Sequence, residues 1–389
     1  MRSRIWIAAS LLALLASSAP LPSLATEPAP VASTSASEPD SQSVDDASSD
    51  PVAQHQSEIY RAYAKATFNS LRTSSNPRDW ALAALVNPLT DEVPSEQEQT
   101  ALIDRALAAA PGDAIMPWIA LTVTHRSSRS DMNRDAIVQT LQHRESDNAA
   151  VWMETLTLAS KRKDKAAVDV ALTHMATSVR NDEHFSDLLK AQLDVFKRYP
   201  LPDEYFAILA PQNSGSSSTL SRETAPYVAA MAVTAAFGLP AYQFLIQECA
   251  ANPSTGENGT RAVSCATIGR RMVAHGTTML ANRVGSTVLR RSRTFNDDDV
   301  QRARTQDWIW QQKSTLYGST TTEPPLEEII ADINNWIDTG SEIESWRRAL
   351  VRAGKPLTPP ADWVDENSPF SPERLHNDQL AADRAAQAH

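Results

Sequence analysis

Glycine and cysteine are scarce in this sequence, and so are runs of β-branched residues. It has 11 glycines and two cysteines in 389 residues, whereas the good helix formers Ala, Leu, Arg, Gln and Glu dominate. Basic residues are also in deficit, because 36 Lys and Arg stand against 47 Asp and Glu, a net charge of −11 at pH 7. This acidity argues against nucleic acid or anionic lipid as the main partner. The composition favours an all-α protein.

A transmembrane run is missing beyond the first 25 residues. The longest apolar stretch there, residues 227–239, covers only part of the roughly 20 residues that span a bilayer, and it indicates a buried helix. We therefore expect no integral membrane segment in the mature chain.

The N-terminus has the pattern of a secretory signal peptide. Two arginines lie within the first four residues, an apolar run covers residues 5–19, and small residues follow at Ser23 and Ala25. We predict a signal peptide over residues 1–25, cut between Ala25 and Thr26, and a periplasmic or secreted bacterial protein. The alternative is an uncleaved membrane anchor, which the short run disfavours. No cysteine stands at the cut, so a lipoprotein is not expected.

The rest of the chain divides by composition. Residues 26–50 are mainly Pro, Ala, Ser, Thr and Asp without an aromatic residue, which predicts a disordered linker. A polar stretch at 212–221 predicts a second linker, and prolines and charges from Pro356 onward predict a loose tail. The other predicted divisions are a TPR-like helical domain (51–211, argued below), a second helical domain (222–355) and the tail itself (356–389).

Both cysteines, Cys249 and Cys265, belong to the predicted exported part. An oxidising compartment favours a disulfide between them, and the turn-rich stretch 251–259 indicates that it would join two consecutive helices. The alternative is a pair of reduced, buried thiols. A metal site is disfavoured, because no histidine pair lies nearby at ligand spacing.

An internal repeat of 34 residues is present in the first helical part. Asp113 recurs as Asp147, and Trp118 recurs as Trp152. Two helices per 34-residue unit resemble the tetratricopeptide (TPR) repeat, over roughly residues 76–200. This resemblance implies antiparallel helix pairs stacked in a right-handed array, whose concave face holds a protein or peptide partner.

The repeat is degenerate. Thr122 and Leu156 stand where the TPR family usually has Gly or Ala, and Arg134 and Val168 stand where it usually has Ala. An irregular helical bundle is therefore the alternative. The predicted fold is all-α: a TPR-like right-handed array of antiparallel helix pairs, followed by a helical bundle that the disulfide staples.

Two short patterns resemble motifs of periplasmic enzymes. Ser160–Lys163 matches the S-x-x-K of penicillin-binding enzymes and Ser146–Asn148 matches their S-D-N, but the order is reversed and K-T-G is absent. Glu145-Ser146 and Glu344-Ser345 match the catalytic dipeptide of lytic transglycosylases, but the companion G-L-M-Q pattern is missing. Capping at helix starts explains both dipeptides. We predict no catalytic residue.

Clusters of charged and ring side chains have structural explanations. An EF-hand loop starting at Asp297 would need Gly at Arg302 and Glu at Trp308, so the acids at 297–299 are expected to cap a helix. His174 and His184 form the nearest interior histidine pair, without a third ligand in phase. We predict no metal site and no cofactor. An arginine cluster is expected to pair with acids and helix C-termini, with an anionic surface as the alternative ligand; its members are Arg270, Arg271, Arg283, Arg290, Arg291 and Arg293.

The export signal, the repeat and the lack of a catalytic motif favour a non-catalytic protein-interaction scaffold in the cell envelope. The alternatives are a cell-wall (peptidoglycan) enzyme with an unrecognised site, and a secreted effector. Trp80, Trp118 and Trp152 are expected in the core. The C-terminal tryptophans are expected there too, with a role in lining a binding surface as the alternative.

Overall fold

The computed structural model describes residues 51–85, 95–126, 134–206, 221–237, 240–250, 258–316 and 326–387. Within these ranges the chain is helical and forms no β-strand. The predicted signal peptide (1–25) and first linker (26–50) lie outside the described residues, as does nearly all of the predicted linker at 212–221.

The described helices fall before and after the predicted second linker. Those before the predicted second linker are α1 (Pro51–Arg72), α2 (Pro77–Leu85), α3 (Glu96–Ala109), α4 (Met116–Arg126), α5 (Arg134–Arg144), a 3-10 helix (Ala149–Trp152), α6 (Met153–Arg162), α7 (Lys165–Thr177) and α8 (Phe185–Arg198). Those after it are α9 (Ala225–Phe237), α10 (Tyr242–Glu248), α11 (Asn258–His275), α12 (Met279–Arg291), α13 (Asp297–Thr315), α14 (Leu326–Thr339), α15 (Glu342–Arg352) and α16 (Pro372–Gln387).

Polar caps fix several helix starts where the sequence places them. Ser95 Oγ accepts a hydrogen bond from Glu98 N (3.1 Å) at the start of α3. Asn296 and Asp299 form a reciprocal capping box at the start of α13. The acidic run at 297–299 is therefore part of a helix start, as predicted.

Neighbouring helices of the first half pack against each other, α2 against α3, α4 against α5, and α6 against α7. The core shared by α2 to α5 contains the buried side chains Leu82, Leu85, Ile103, Met116, Ile119 and Leu141. The two repeat tryptophans nevertheless occupy different places. Trp118 lies in the first turn of α4, whereas Trp152 ends the 3-10 helix that precedes α6.

Helix α8 departs from this order of pairing. It packs against α9 and α14 from the second half of the chain. Its Leu188, Ala191 and Val195 also join the core of α2 to α5, whereas Leu189 belongs to a separate cluster with Trp336 of α14. Helix α8 is thus buried on two sides and connects both halves of the molecule.

A further hydrophobic core combines helices that lie before and after the predicted linker at 212–221 in the sequence. Buried residues of α6 and α7 share one apolar cluster with α10, α11 and α12. Cys249 and Cys265 form a disulfide within this cluster, with their Cα atoms 5.6 Å apart. The predicted disulfide is confirmed, and the predicted linker does not separate two hydrophobic cores.

Two glycines allow α11 and α12 to touch backbone to backbone. A Cβ atom built on Gly285 would lie 2.7 Å from Gly269 O and 2.9 Å from Val273 N. Real Cβ atoms do not approach other atoms so closely, so this crossing requires glycine.

The predicted loose tail is instead packed against the helices. Residues 356–371 contact α12 and α13, and α16 follows them. Phe370 is buried in a cluster with Leu289 and Ala303. The expectation was wrong because it rested on the prolines and charges of this segment. The aromatic side chains of Trp363 and Phe370 pack against the helices and hold the segment in place.

Among the helices that the structure describes, α9 is the most apolar, and it packs on α8 and α14. Its 13 residues are too few to cross a bilayer. Within the described ranges, no helix has the length and the apolar character that a membrane span requires.

Candidate functional site

The start of α8 is fixed by a loop that runs beside the turn after α5. Arg180 N donates to Asp147 O (3.1 Å), and Ala149 N donates to Arg180 O (2.9 Å). His184 then takes a left-handed backbone conformation (φ 53°), and its N–H donates to Asp182 Oδ1 (2.8 Å). A non-glycine residue keeps this conformation only where its surroundings hold it, so the loop sets the position of the His184 ring.

Glu145, directly after α5, accepts hydrogen bonds from several side chains. Trp118 Nε1 donates to its Oε1 (2.9 Å). Asn148 Nδ2 and Arg180 Nη2 both donate to its Oε2 (2.8 Å each), and His184 Nε2 lies 3.0 Å from the same oxygen. Glu145 is 7% exposed. Its carboxylate is therefore removed from water but well supplied with donors.

The two nitrogens of the His184 ring face two carboxylates. Nδ1 lies 2.7 Å from Asp187 Oδ2, opposite the contact with Glu145. Burial opposes protonation of the ring, but the hydrogen bonds to Asp187 and Glu145 outweigh it and raise the pKa of His184 to about 10. Burial likewise opposes ionisation of Glu145, but the bonds from His184, Trp118 and Asn148 lower its pKa to about 2. Both groups are charged at neutral pH.

A cleft of about 320 Å³ lies between α2, the turn before α4, and α8. Leu82, Ile115 and Ala191 give it an apolar floor. Its lining also carries charges of both signs, namely Arg78, Lys190 and Arg198 together with Asp79, Asp187 and Asp194.

Some of these charges are held rigidly. Asp79 is 1% exposed and accepts two hydrogen bonds from Arg198 (2.6 and 2.8 Å) and one from Ser74 (2.7 Å). Arg78 Nη2 lies 2.7 Å from Asp113 Oδ2. A bidentate pair to a buried carboxylate has a fixed geometry, so Asp79 and Arg198 form a rigid part of the cleft lining.

Other charges of the cleft face water. Lys190 Nζ lies 3.7 Å from Asp194 Oδ2, with both side chains more than half exposed. Asp187 belongs to the cleft and to the His184 contact at once. The buried network around Glu145 therefore supports one wall of the cleft.

The structure does not bring the penicillin-binding motifs together. Ser160 Oγ donates to Glu248 Oε1 (2.6 Å), and Lys163 ends α6 in a left-handed conformation. Asn148 of the S-D-N triplet belongs to the Glu145 network. No shared site results from these residues.

Only one of the two Glu-Ser dipeptides lies at a helix start, where both were predicted. Glu344 does lie in the first turn of α15, but Glu145 follows the end of α5, so that prediction was wrong for Glu145. A general acid must hold a proton near the working pH, and a carboxyl with a pKa of about 2 does not. Glu145 is also 7% exposed and bonded to four neighbouring side chains, so its carboxylate holds these segments together.

The two histidines singled out by the sequence lie in separate environments. The ring of His174 stacks on that of Trp152 with centroids 3.8 Å apart, whereas His184 bonds to Glu145 and Asp187. In the part of the chain that the structure describes, no group of His, Cys, Asp and Glu has the arrangement of a metal site.

The arginine cluster pairs largely as predicted. Arg270 Nη2 lies 3.0 Å from Asp299 Oδ2, and Arg271 donates to the carbonyls of Met175 and Ala176 near the end of α7 (3.1 and 2.9 Å). The partners of Arg283, Arg290 and Arg293 include the C-terminal segment, residues 367–378.

Three of the described tryptophans are buried, whereas Trp118 and Trp152, which were also expected in the core, are half-buried against it. Trp80, Trp308 and Trp336 are buried, and Trp80 Nε1 donates to Ser74 O (2.6 Å). Trp310 is half-buried beneath the guanidinium of Arg283, 4.6 Å from its ring centroid.

The sequence did not single out Arg180 or Asp187, and it did not indicate that His184 belongs to a network. A signal was present in the repeat, because Asn148 and Asp182 are also 34 residues apart. Asn148 Nδ2 donates to Asp182 O (2.8 Å), and Asp182 N donates to Asn148 Oδ1 (2.9 Å). The repeat phase thus marks two loops that touch.

The chain was compared with protein families, curated proteins and solved structures. None of the three comparisons gives a match.

Proposed function

We propose that the chain is an exported, non-catalytic scaffold of the bacterial cell envelope. In this proposal α2 to α7 form a TPR-like right-handed array, and the cleft between α2 and α8 binds a short segment of a partner protein. The observation that carries the proposal is the cleft, which combines an apolar floor with exposed charges of both signs.

The chemistry of the cleft defines the ligand. An exposed ion pair such as Lys190–Asp194 contributes only about 0–1 kcal/mol, so a partner can replace it at little cost. Asp79 and Arg198 are fixed and keep the cleft open. The ligand that fits is a peptide segment with one apolar side chain, for the floor, flanked by an acidic and a basic residue.

The charge state of the network supports a binding role rather than acid–base chemistry. Glu145 and His184 hold each other ionised at neutral pH, with pKa values of about 2 and about 10. Groups that exchange protons in catalysis need pKa values nearer the working pH. A firmly charged network instead gives the cleft a rigid wall.

The test is a crosslinked pull-down of the tagged mature protein from cell envelope and culture medium, read by mass spectrometry. The wild type is compared with Lys190→Glu in the cleft and with Lys165→Glu as control, since Lys165 is an exposed lysine on α7 outside the cleft. We expect one dominant partner, retained by the control and reduced at least fivefold by Lys190→Glu. Equal recovery by both variants would contradict the cleft, and altered muropeptides without any partner would contradict the scaffold.

A further inference from the structure

The C-terminal segment 356–371, termed the strap, is held by side chains of α12 and α13 although it contains no helix. Trp308 Nε1 donates to Pro356 O (2.9 Å). Arg304 donates to the carbonyls of Pro360, Ala361 and Trp363. One arginine and one tryptophan thus bind four main-chain carbonyls of the strap.

The middle of the strap is anchored by an aromatic side chain. The ring of Trp363 packs edge-on against Trp308, with centroids 5.2 Å apart. Its Nε1 donates to Gln311 Oε1 (2.8 Å). Arg304, Trp308 and Gln311 are spaced so that they share one face of α13.

The end of the strap meets α12 as well as α13. Arg283 Nη2 donates to Asn367 O (2.7 Å). Ser368 Oγ donates to Asp307 Oδ2 (2.7 Å), and Phe370 is buried in the apolar cluster beside α12. The strap therefore lies in a groove lined by Arg283, Arg304, Asp307, Trp308 and Gln311, termed the strap groove.

This mode of binding does not depend on the covalent connection to α15. Most donors of the groove bind main-chain carbonyls, which any copy of the segment presents, and two aromatic side chains give the register. The connection itself, residues 353–355, is exposed, and Gly354 takes a left-handed conformation (φ 66°) just beyond α15.

We propose that the strap groove binds the strap of a second copy of this chain by reciprocal exchange. Reciprocal exchange of an identical segment recreates every contact of the strap, so it costs little beyond association. The exposed connection at 353–355 is the hinge that this exchange requires. The proposal is independent of the cleft between α2 and α8.

The first experiment uses the full chain with a protease site inserted between Gly354 and Lys355. The folded protein is cut, passed over a size-exclusion column, and mixed with a labelled synthetic peptide of residues 356–389, followed by fluorescence anisotropy. We expect the cut fragment to stay bound and the labelled peptide to replace it. Loss of the fragment without peptide binding, or no replacement while the fold persists, would overturn the proposal.

Two variants separate the groove from general folding. Arg304→Ala should release the cut fragment at least tenfold faster, whereas Arg302→Ala, an exposed arginine of the same helix, should leave the release rate unchanged. Circular dichroism confirms that both variants fold, and equal effects of the two changes would refute a specific groove.

The second copy is tested with the uncut chain by light scattering across a concentration series. A dimer that Arg304→Ala abolishes and Arg302→Ala retains is the expected result. A chain that stays monomeric at every concentration would refute the exchange, even if the cut fragment is replaceable.

Discussion

Glu145 illustrates how a single buried carboxylate holds separate parts of the chain together. Its donors Trp118, Arg180 and His184 lie 27, 35 and 39 residues away in sequence. They come from α4, from the loop before α8, and from the residue that opens α8. The carboxylate is thus the point at which α8 is attached to the first helices.

Glu145→Gln should destabilise the protein by about 3 kcal/mol, because it leaves the charges of Arg180 and His184 without their buried partner. The free energy of unfolding, measured with urea, checks this value. Asp147→Asn is the control, since Asp147 is 53% exposed and its pair with Arg180 should contribute less than about 1 kcal/mol. Similar losses for both variants would contradict the role given to Glu145.

The sequence could not reveal this network, because its geometry depends on contacts between loops. A Glu at the end of a helix and a His at the start of another are ordinary surface residues until the loops meet. Asn148 and Asp182 show that the repeat spacing marked the right loops. The spacing did not show which side chains turn inward.

At the scale of helices, the close crossing of α11 and α12 requires glycine at position 285. Gly285→Ala should cost about 2 kcal/mol, since the new Cβ would overlap the backbone of α11. Gly259→Ala is the matched control, because nothing lies within 4 Å of a Cβ at that helical position. Thermal unfolding of the two variants checks the difference. Equal melting temperatures would contradict the prediction, because they would show that α11 and α12 can move apart without a loss of stability.

The disulfide joins α10 to α11 across a separation of 16 residues. Closing a loop of this length should stabilise the fold by about 3 kcal/mol, mainly by restricting the unfolded chain. Unfolding with and without reductant checks this. The double change of Cys249 and Cys265 to Ala should be equally unstable in both conditions; continued sensitivity of that variant to reductant would point to another cause.

The sequence predicted where several helices begin, but it did not predict which helices pack against each other. Caps at Ser95, Asn296 and Ser341 mark real helix starts, since capping is a local interaction. The placement of α8 across both halves depends on which of its two apolar faces finds a partner. Leu188 and Leu189 point to different cores, and no local pattern distinguishes the two.

For the whole molecule, the shifted pKa values favour mildly acidic conditions. Glu145 contributes stability above pH 4.5 that is lost as pH falls toward 2, and His184 contributes stability below pH 6.5 that is lost as pH rises toward 10. Loss of solvent raises the pKa of Glu342 from 4.5 to about 7 and that of Asp307 from 3.8 to about 6. Their ionisation therefore lowers stability as pH rises through those windows.

These groups together place the pH of maximum stability on the acidic side of neutrality. Melting temperatures from pH 3 to 10 check this. Glu342→Gln removes one ionisation while its amide oxygen still accepts from Met279 N, so the variant should exceed the wild type at pH 8 and match it at pH 4.5. A variant that loses stability in parallel with the wild type between these pH values would contradict the assignment.

Site-specific photo-crosslinking in the cell envelope shows whether the cleft between α2 and α8 binds a partner protein. A photoreactive residue is placed at position 190 in the cleft or at position 165 on α7, outside it. We expect one discrete adduct from position 190 and none from position 165. No adduct from position 190, or the same adduct from both positions, would contradict it.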